Sequence, residues 1–257
     1  MASRRNKLNA KQIQLLKLLY KFRFVTADLV ARHKGISRAA VNYSLAVLVA
    51  QDYVGKRYDK NYRLSGKGAV YYLALDGLHL LKQNLNLSEN VFHAMRKNNT
   101  VGDDFVDGYI TIMRVYLALR STYPDTFNIF TTSELGVFDY FPKPKPSLYL
   151  SHRTPTKTKQ NDFMLDVIED NRPFVIKKRL QVYSDHFDSG DWGQEPYPKV
   201  LLVCFNAWIE SKAQKYIESL LEDFDVYTTS KKALLFSDKD NNQIWSDAFE
   251  PEKLFSL

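Results

Sequence analysis

One cysteine, Cys204, stands in 257 residues, and that scarcity excludes an intrachain disulfide and any multi-cysteine zinc site. It suits a reducing compartment. The five histidines show no zinc-ligand spacing. No glycine-rich loop of the phosphate-cradling kind is present, nor any nucleophile-and-base arrangement. Tyr183 is read as a core residue rather than a strand-transferring tyrosine. Uninterrupted apolar runs are short. LLKLLYKF is broken by lysines, and nothing approaches the ~18–20 residues of a membrane span. The basic opening MASRRNKLNA leads into no apolar signal core. The expectation is a soluble, cytoplasmic protein with no membrane partner.

Acidic residues are scarce in the first hundred positions, with 5 Asp+Glu against 18 Lys+Arg, net +13. The remainder reverses the balance, with 24 against 18, net −6. A chain that is 45% hydrophobic and 14% aromatic can bury real cores, so global disorder is excluded. A basic N-terminal part joined to a mildly acidic remainder points to a polyanionic partner for the first.

Apolar residues Ile13, Leu15, Leu16, Leu18, Leu19 and Phe22 predict a helix over 9–22 with one buried stripe. Thr26 caps a short helix that ends at Gly35. Ser37 caps a third, whose stripe is Val41, Leu45 and Leu48 and whose opposite face shows Arg38, Ala39, Asn42, Tyr43 and Ala46. The short link around Gly35-Ile36 is that of a helix-turn-helix. Val54–Tyr58 then pairs with Ala69–Leu73 as a hairpin, with 59–68 as its loop and a helix over 76–85 after it. Helix, helix, helix, hairpin, helix is the order of a winged helix. Its third helix enters the major groove and its wing lies along the backbone or minor groove. The expected DNA-binding residues are Arg38, Asn42 and Tyr43 on the helix, and Lys56, Arg57, Lys60, Arg63 and Lys67 on the wing. The expected partner is double-stranded DNA.

Residues 86–100 are polar and mixed and read as a linker, dividing a domain over 1–97 from one over 98–257. A largely buried helix is predicted over 103–121 and a strand within FNIFTTSEL. FPKPKPS is an extended loop, Ser147–His152 and Asp162–Ile168 form a strand hairpin, and TPTKTK is the loop between them. Pro173 opens a helix with Phe174, Ile176, Leu180, Tyr183 and Phe187 as candidates for its packed side. Lys199–Phe205 lacks alternation and reads as a central strand. Ala207–Phe224 reads as a helix, with Asp225–Thr229 or Ala233–Phe236 as further strand. The fold class is therefore α+β / α/β: a winged helix-turn-helix followed by a small mixed-sheet domain.

The order helix, strand hairpin, helix, strand is also that of the PD-(D/E)xK nuclease-like fold. Together with the winged helix, the chain resembles the replication-relaxation family of plasmid and mobile-element proteins, some related to mobilisation relaxases. The resemblance covers most of the chain. It is carried by YYLALDGLHLL, TVGDDFVDGYI, FMLDVIEDNRPFVIKKRLQVYSDHFDSGDW and KVLLVCF, in that order. It implies a nuclease-like second domain in which hairpin acids hold magnesium or manganese and a lysine assists a water. Here Pro146 is followed by Ser147 instead of an acid, and two positions after Asp166 stands Ile168 instead of an acid or lysine. Glu134, Asp166 and Glu169 are the acids available to an active site; with Ser147 and Ile168 in place, no catalytic residue, metal or cofactor is expected. The leading expectation is a sequence-directed DNA-binding protein of a plasmid or mobile element, acting in replication, mobilisation or transcription control. Its second domain would serve homodimerisation, partner contact or further DNA contact. The alternatives are a metal-dependent nicking enzyme of relaxase or endonuclease type, and a protein-interaction adaptor.

Overall fold

A computed structural model of the chain describes residues 8–84, 87–153, 162–169, 172–220, 224–247 and 249–257. The expected loop TPTKTK and residues 221–223 of the helix expected to reach Phe224 lie outside the described residues. The chain divides into two compact units, Met1–Met113 and Arg114–Leu257. No described helix is long and apolar enough to cross a membrane.

The first unit begins with α1 (Ala10–Phe22), where Asn9 and Gln12 form a reciprocal capping box at 2.9 and 3.0 Å. Its stripe of Leu15, Leu16, Leu18, Leu19 and Phe22 is buried. Each such side chain contributes roughly 1.5–3 kcal/mol of burial. A three-residue strand, β1 (Phe24–Thr26), leads into α2 (Ala27–Lys34), with the Thr26 hydroxyl accepting from the Leu29 N–H. Gly35 ends α2 in the left-handed conformation at φ 63°, where a β-carbon is disfavoured. Ser37 then caps α3 (Arg38–Ala50), which buries Val41, Leu45 and Leu48.

The wing is β2 (Val54–Arg57), α4 (Lys60–Leu64) and β3 (Val70–Leu73). β2 and β3 pair antiparallel in the register Val54↔Leu73 to Arg57↔Val70, and β1 pairs with the other edge of β3, Phe24 opposite Tyr72. Gly55 sits opposite Tyr72, and a β-carbon there would lie 2.2 Å from the tyrosine ring. The glycine thus makes room for a cross-strand aromatic. Two features differ from the sequence expectation: the loop 59–68 contains α4, and β1 extends the hairpin to three strands. Both elements are short, and tertiary pairing rather than local propensity holds them.

After the wing come α5 (Leu75–Asn84), α6 (Glu89–Met95) and α7 (Asp103–Thr122). The segment expected as a polar linker therefore holds a helix that buries Phe92 and Met95. Arg23 joins this segment to the end of α1. Its buried guanidinium donates to Asn98 Oδ1 at 2.6 Å and to the Ala94 carbonyl at 2.8 Å, and lies 4.6 Å from the Phe105 ring centroid. A buried charge needs such partners, and the polar character of 94–98 supplies them.

The second unit is built on β4 (Phe127–Thr131), β5 (Leu148–His152), β6 (Phe163–Ile168), β7 (Lys199–Cys204), β8 (Val226–Ser230), β9 (Trp245–Asp247) and β10 (Leu254–Phe255). They form one mixed sheet in the order β10-β9-β8-β7-β6-β5-β4. The β4-β5-β6 and β8-β9-β10 pairings are antiparallel, and β7 runs parallel to both neighbours. Parallel neighbours require crossovers, supplied by α8 (Pro173–Ser189) and α9 (Ala207–Leu220). Ile176, Leu180 and Tyr183 of α8 and Ile209, Ala213 and Ile217 of α9 pack on Met164, Val200, Leu202 and Cys204. Phe174, expected on the packed side, is 71% exposed because it lies in the first turn, ahead of the packed stripe. Of the two segments expected as further strand, Asp225–Thr229 supplies β8, while residues 231–235 form α10 (Lys231–Leu235), capped by Ser230.

Candidate nucleic-acid interface

The outward face of α3 carries Arg38, Ala39, Asn42, Tyr43 and Ala46, all exposed. Tyr43 is 75% exposed, so packing on the rest of the unit does not account for it. Small residues at 39 and 46 leave room for close approach, and Arg38, Asn42 and Tyr43 offer donors and acceptors suited to base edges or phosphates.

The wing divides its cations into two groups. Lys56, Lys60 and Arg63 are exposed. Lys56 Nζ lies 5.4 Å and Arg63 Cζ 5.2 Å from the Tyr58 ring centroid, which clusters two positive charges on one exposed aromatic. Arg57 and Lys67 are held by the first two turns of α7. Arg57 donates to Asp103 Oδ1 at 2.7 Å and to the Val101 carbonyl at 2.7 Å, and Lys67 pairs with Asp107 at 2.5 Å. The buried Tyr62 of α4 also donates to Asp103, at 3.2 Å. Burial, then the Asp103 charge, pushes the Tyr62 hydroxyl pKa up, so it stays protonated as a donor. The wing is thereby clamped to α7 by two acids from beyond position 100. The expected site residues do not include Tyr58. The alternation of basic and aromatic residues in KRYDKNYR is the signal that marks it.

In the second unit the three acids are engaged separately. Glu134 accepts from Thr131, through the backbone N–H at 2.8 Å and the hydroxyl at 3.2 Å, a local turn after β4. Glu169 lies 3.5 Å from Lys231 Nζ. Asp166 is buried on β6. One of its oxygens accepts from the Ser147 N–H and hydroxyl; the other accepts from Arg179 Nε and from the Tyr183 hydroxyl at 2.7 Å. Arg179 also donates to the Pro144 carbonyl at 2.5 Å and to the Tyr183 hydroxyl at 3.0 Å. Burial alone would raise the Asp166 pKa; the Arg179 charge and the converging donors outweigh it and hold the carboxyl below its ordinary value. Asp166 raises the Arg179 pKa against the opposing effect of burial. Burial and the Asp166 charge push the Tyr183 hydroxyl far up.

These residues do not fit a divalent cation. Both Asp166 oxygens are saturated with donors, and a guanidinium in contact with the carboxylate repels a second positive charge. Among the described residues no group of three or more His, Cys, Asp or Glu side chains is placed to hold a metal ion. Ile168 is buried in the core beside β7 and has neither charge nor proton to contribute.

No protein-family model matches the chain. No curated protein sequence matches it. Among solved structures, the chain is similar to a mutant of MarR from E. coli complexed with operator DNA, at 18% identity over 39% of this chain and 70% of that chain, with a TM-score of 0.28. It is also similar to a mutant of Lactococcus lactis ZitR, at 22% identity over 39% of this chain and 67% of that chain, with a TM-score of 0.27. The overlaps are slight, and the winged-helix description rests on the element order and strand register of the first unit itself.

Proposed function

We propose that this protein is a sequence-directed double-stranded DNA-binding protein of a plasmid or mobile element. The observation that carries it is the α3 face, where Arg38, Asn42 and Tyr43 stand exposed on the third helix of a winged helix. Lys56, Lys60 and Arg63 supply sequence-independent phosphate contacts, which fits the net +13 of the first hundred residues. Arg57 and Lys67 mainly hold the wing to α7, their charges being already partnered. The second unit is a non-catalytic relative of the nuclease-like fold. Its helix, antiparallel β4-β5-β6, crossover helix and parallel β7 support that reading, and the sealed Asp166 network opposes the metal-dependent nicking alternative. Dimerisation, partner contact or further DNA contact is the role left to it. The experiment is selection of bound duplexes from a random DNA pool with the purified full chain. A shared sequence should emerge, and a pool without enrichment after several rounds would refute sequence-directed binding.

A further inference from the structure

The second unit contains a cavity of about 450 Å³, within the size range of small-ligand sites. Three aromatic rings and three carboxylates line it. Tyr149 is the second residue of β5, and Tyr140 lies in the segment before that strand. Trp192 sits in the turn after α8, between Gly190 at φ 70° and Gly193 at φ 81°, closed by the Gly193 N–H donating to the Gly190 carbonyl at 3.0 Å. The rings form one cluster: Trp192 is 5.3 Å from Tyr140 and 6.1 Å from Tyr149, centroid to centroid. The cluster is held from several sides. His186 Nε2 donates to the Tyr140 carbonyl at 2.8 Å, the Tyr149 hydroxyl donates to Asp162, and Phe141 packs edge-on to both Tyr149 and Trp192.

The acids are Asp162, Asp191 and Glu195, the last two exposed. Among the described residues no lysine, arginine or histidine lines the cavity. A concave aromatic wall beside carboxylates that no described cation neutralises has one natural complement. Ring faces attract a diffuse positive charge, and carboxylates accept its hydrogen bonds. An inorganic ion uses the rings poorly, and an anion such as the DNA backbone is repelled.

We infer that this cavity is a binding site for an organic cation, an ammonium or guanidinium group carried by a polyamine or by a basic peptide side chain. The inference does not depend on the DNA-binding reading and uses none of its residues.

The test is calorimetric titration of the purified full chain with spermidine and with N-acetyl-arginine amide, using N-acetyl-citrulline amide as the neutral isostere. Saturable binding of at least one cation is expected. Spermidine alone would identify a polyamine, and the arginine derivative a peptide side chain. Trp192→Ala should weaken binding by roughly 2- to 30-fold, the range of one cation–aromatic contact. Asp191→Asn with Glu195→Gln, at exposed positions that leave packing intact, should also weaken it and make it less salt-sensitive. No saturable binding of either cation at millimolar concentration would overturn the inference. So would equal binding of the citrulline compound, or undiminished binding by the double-amide variant.

Discussion

Ser147 donates both its backbone N–H and its hydroxyl to one oxygen of Asp166, at 2.9 and 3.0 Å. The resemblance to nuclease-like proteins implies an acid at position 147. A second carboxylate there would face Asp166, and a bound cation would have to reconcile the two. With serine at 147 and Arg179 on the other oxygen, Asp166 is satisfied by the protein alone, and the same carboxylate becomes a structural tie between β6, α8 and the segment before β5.

That tie predicts the outcome of Asp166→Ala. Removing one partner leaves the Arg179 guanidinium buried and unpaired, at a cost of about 3–5 kcal/mol. Urea denaturation of the variant should show the loss. Replacing both residues, as Asp166→Leu with Arg179→Met, should recover a large part of it, because no buried charge then remains unpaired. A double variant as unstable as Asp166→Ala would contradict this.

The acid limb of stability follows from the same group. The folded-state pKa of Asp166 lies below its unfolded value of about 3.9. Its contribution is therefore complete above that unfolded value and is lost as pH falls through the lower folded value. Thermal melting between pH 5 and pH 2, values chosen to span roughly that window, should fall less steeply for Asp166→Asn than for the unmodified protein. Parallel curves would rule Asp166 out as the source.

Gly55 gives a test of the wing scaffold. A β-carbon there would meet the Tyr72 ring at 2.2 Å, so Gly55→Val should destabilise the first unit and weaken DNA binding. Overpacking of this kind costs typically about 1–3 kcal/mol. Adding Tyr72→Ala should relieve the clash, and failure to do so would place the cause elsewhere.

The wing clamp separates cations that look alike in sequence. Neutralising Lys60 and Arg63 should flatten the slope of log affinity against log salt by up to ~0.9 per lost phosphate contact. Lys67→Ala should change it less, because Asp107 already neutralises that charge. Asp107→Asn should tighten DNA binding by freeing Lys67. Equal slopes for all three lysine and arginine variants would remove the distinction.

How much of this was legible in the sequence depends on where each element draws its stability. The helices α1 to α3 carry their caps and stripes locally, in Asn9, Thr26, Ser37 and the spacing of Val41, Leu45 and Leu48. The strands β5 and β6 and the central β7 were equally readable, the last from an unbroken apolar run. The strands β1, β9 and β10 were not, because two or three residues hold no period, and Trp245 is fixed by a bond to the distant Tyr123 hydroxyl. At the candidate sites the residue types were visible but their partners were not. Asp103 and Asp107 lie 46 and 40 positions from the wing cations that they neutralise. Arg179 reads in sequence as one more cation of KKR, and only the crossover of α8 brings it onto Asp166.

The most direct measurement compares the affinity of the full chain for its selected duplex and for a scrambled one, over a range of salt, before and after Arg38→Ala, Asn42→Ala and Tyr43→Ala. If α3 reads bases, each substitution that removes a base contact should cost roughly 1–3 kcal/mol on the selected duplex and little on the scrambled one. The ratio of the two affinities should then collapse, while the salt slope set by Lys56, Lys60 and Arg63 changes little. An unchanged ratio in the triple variant would show that α3 does not read the DNA sequence.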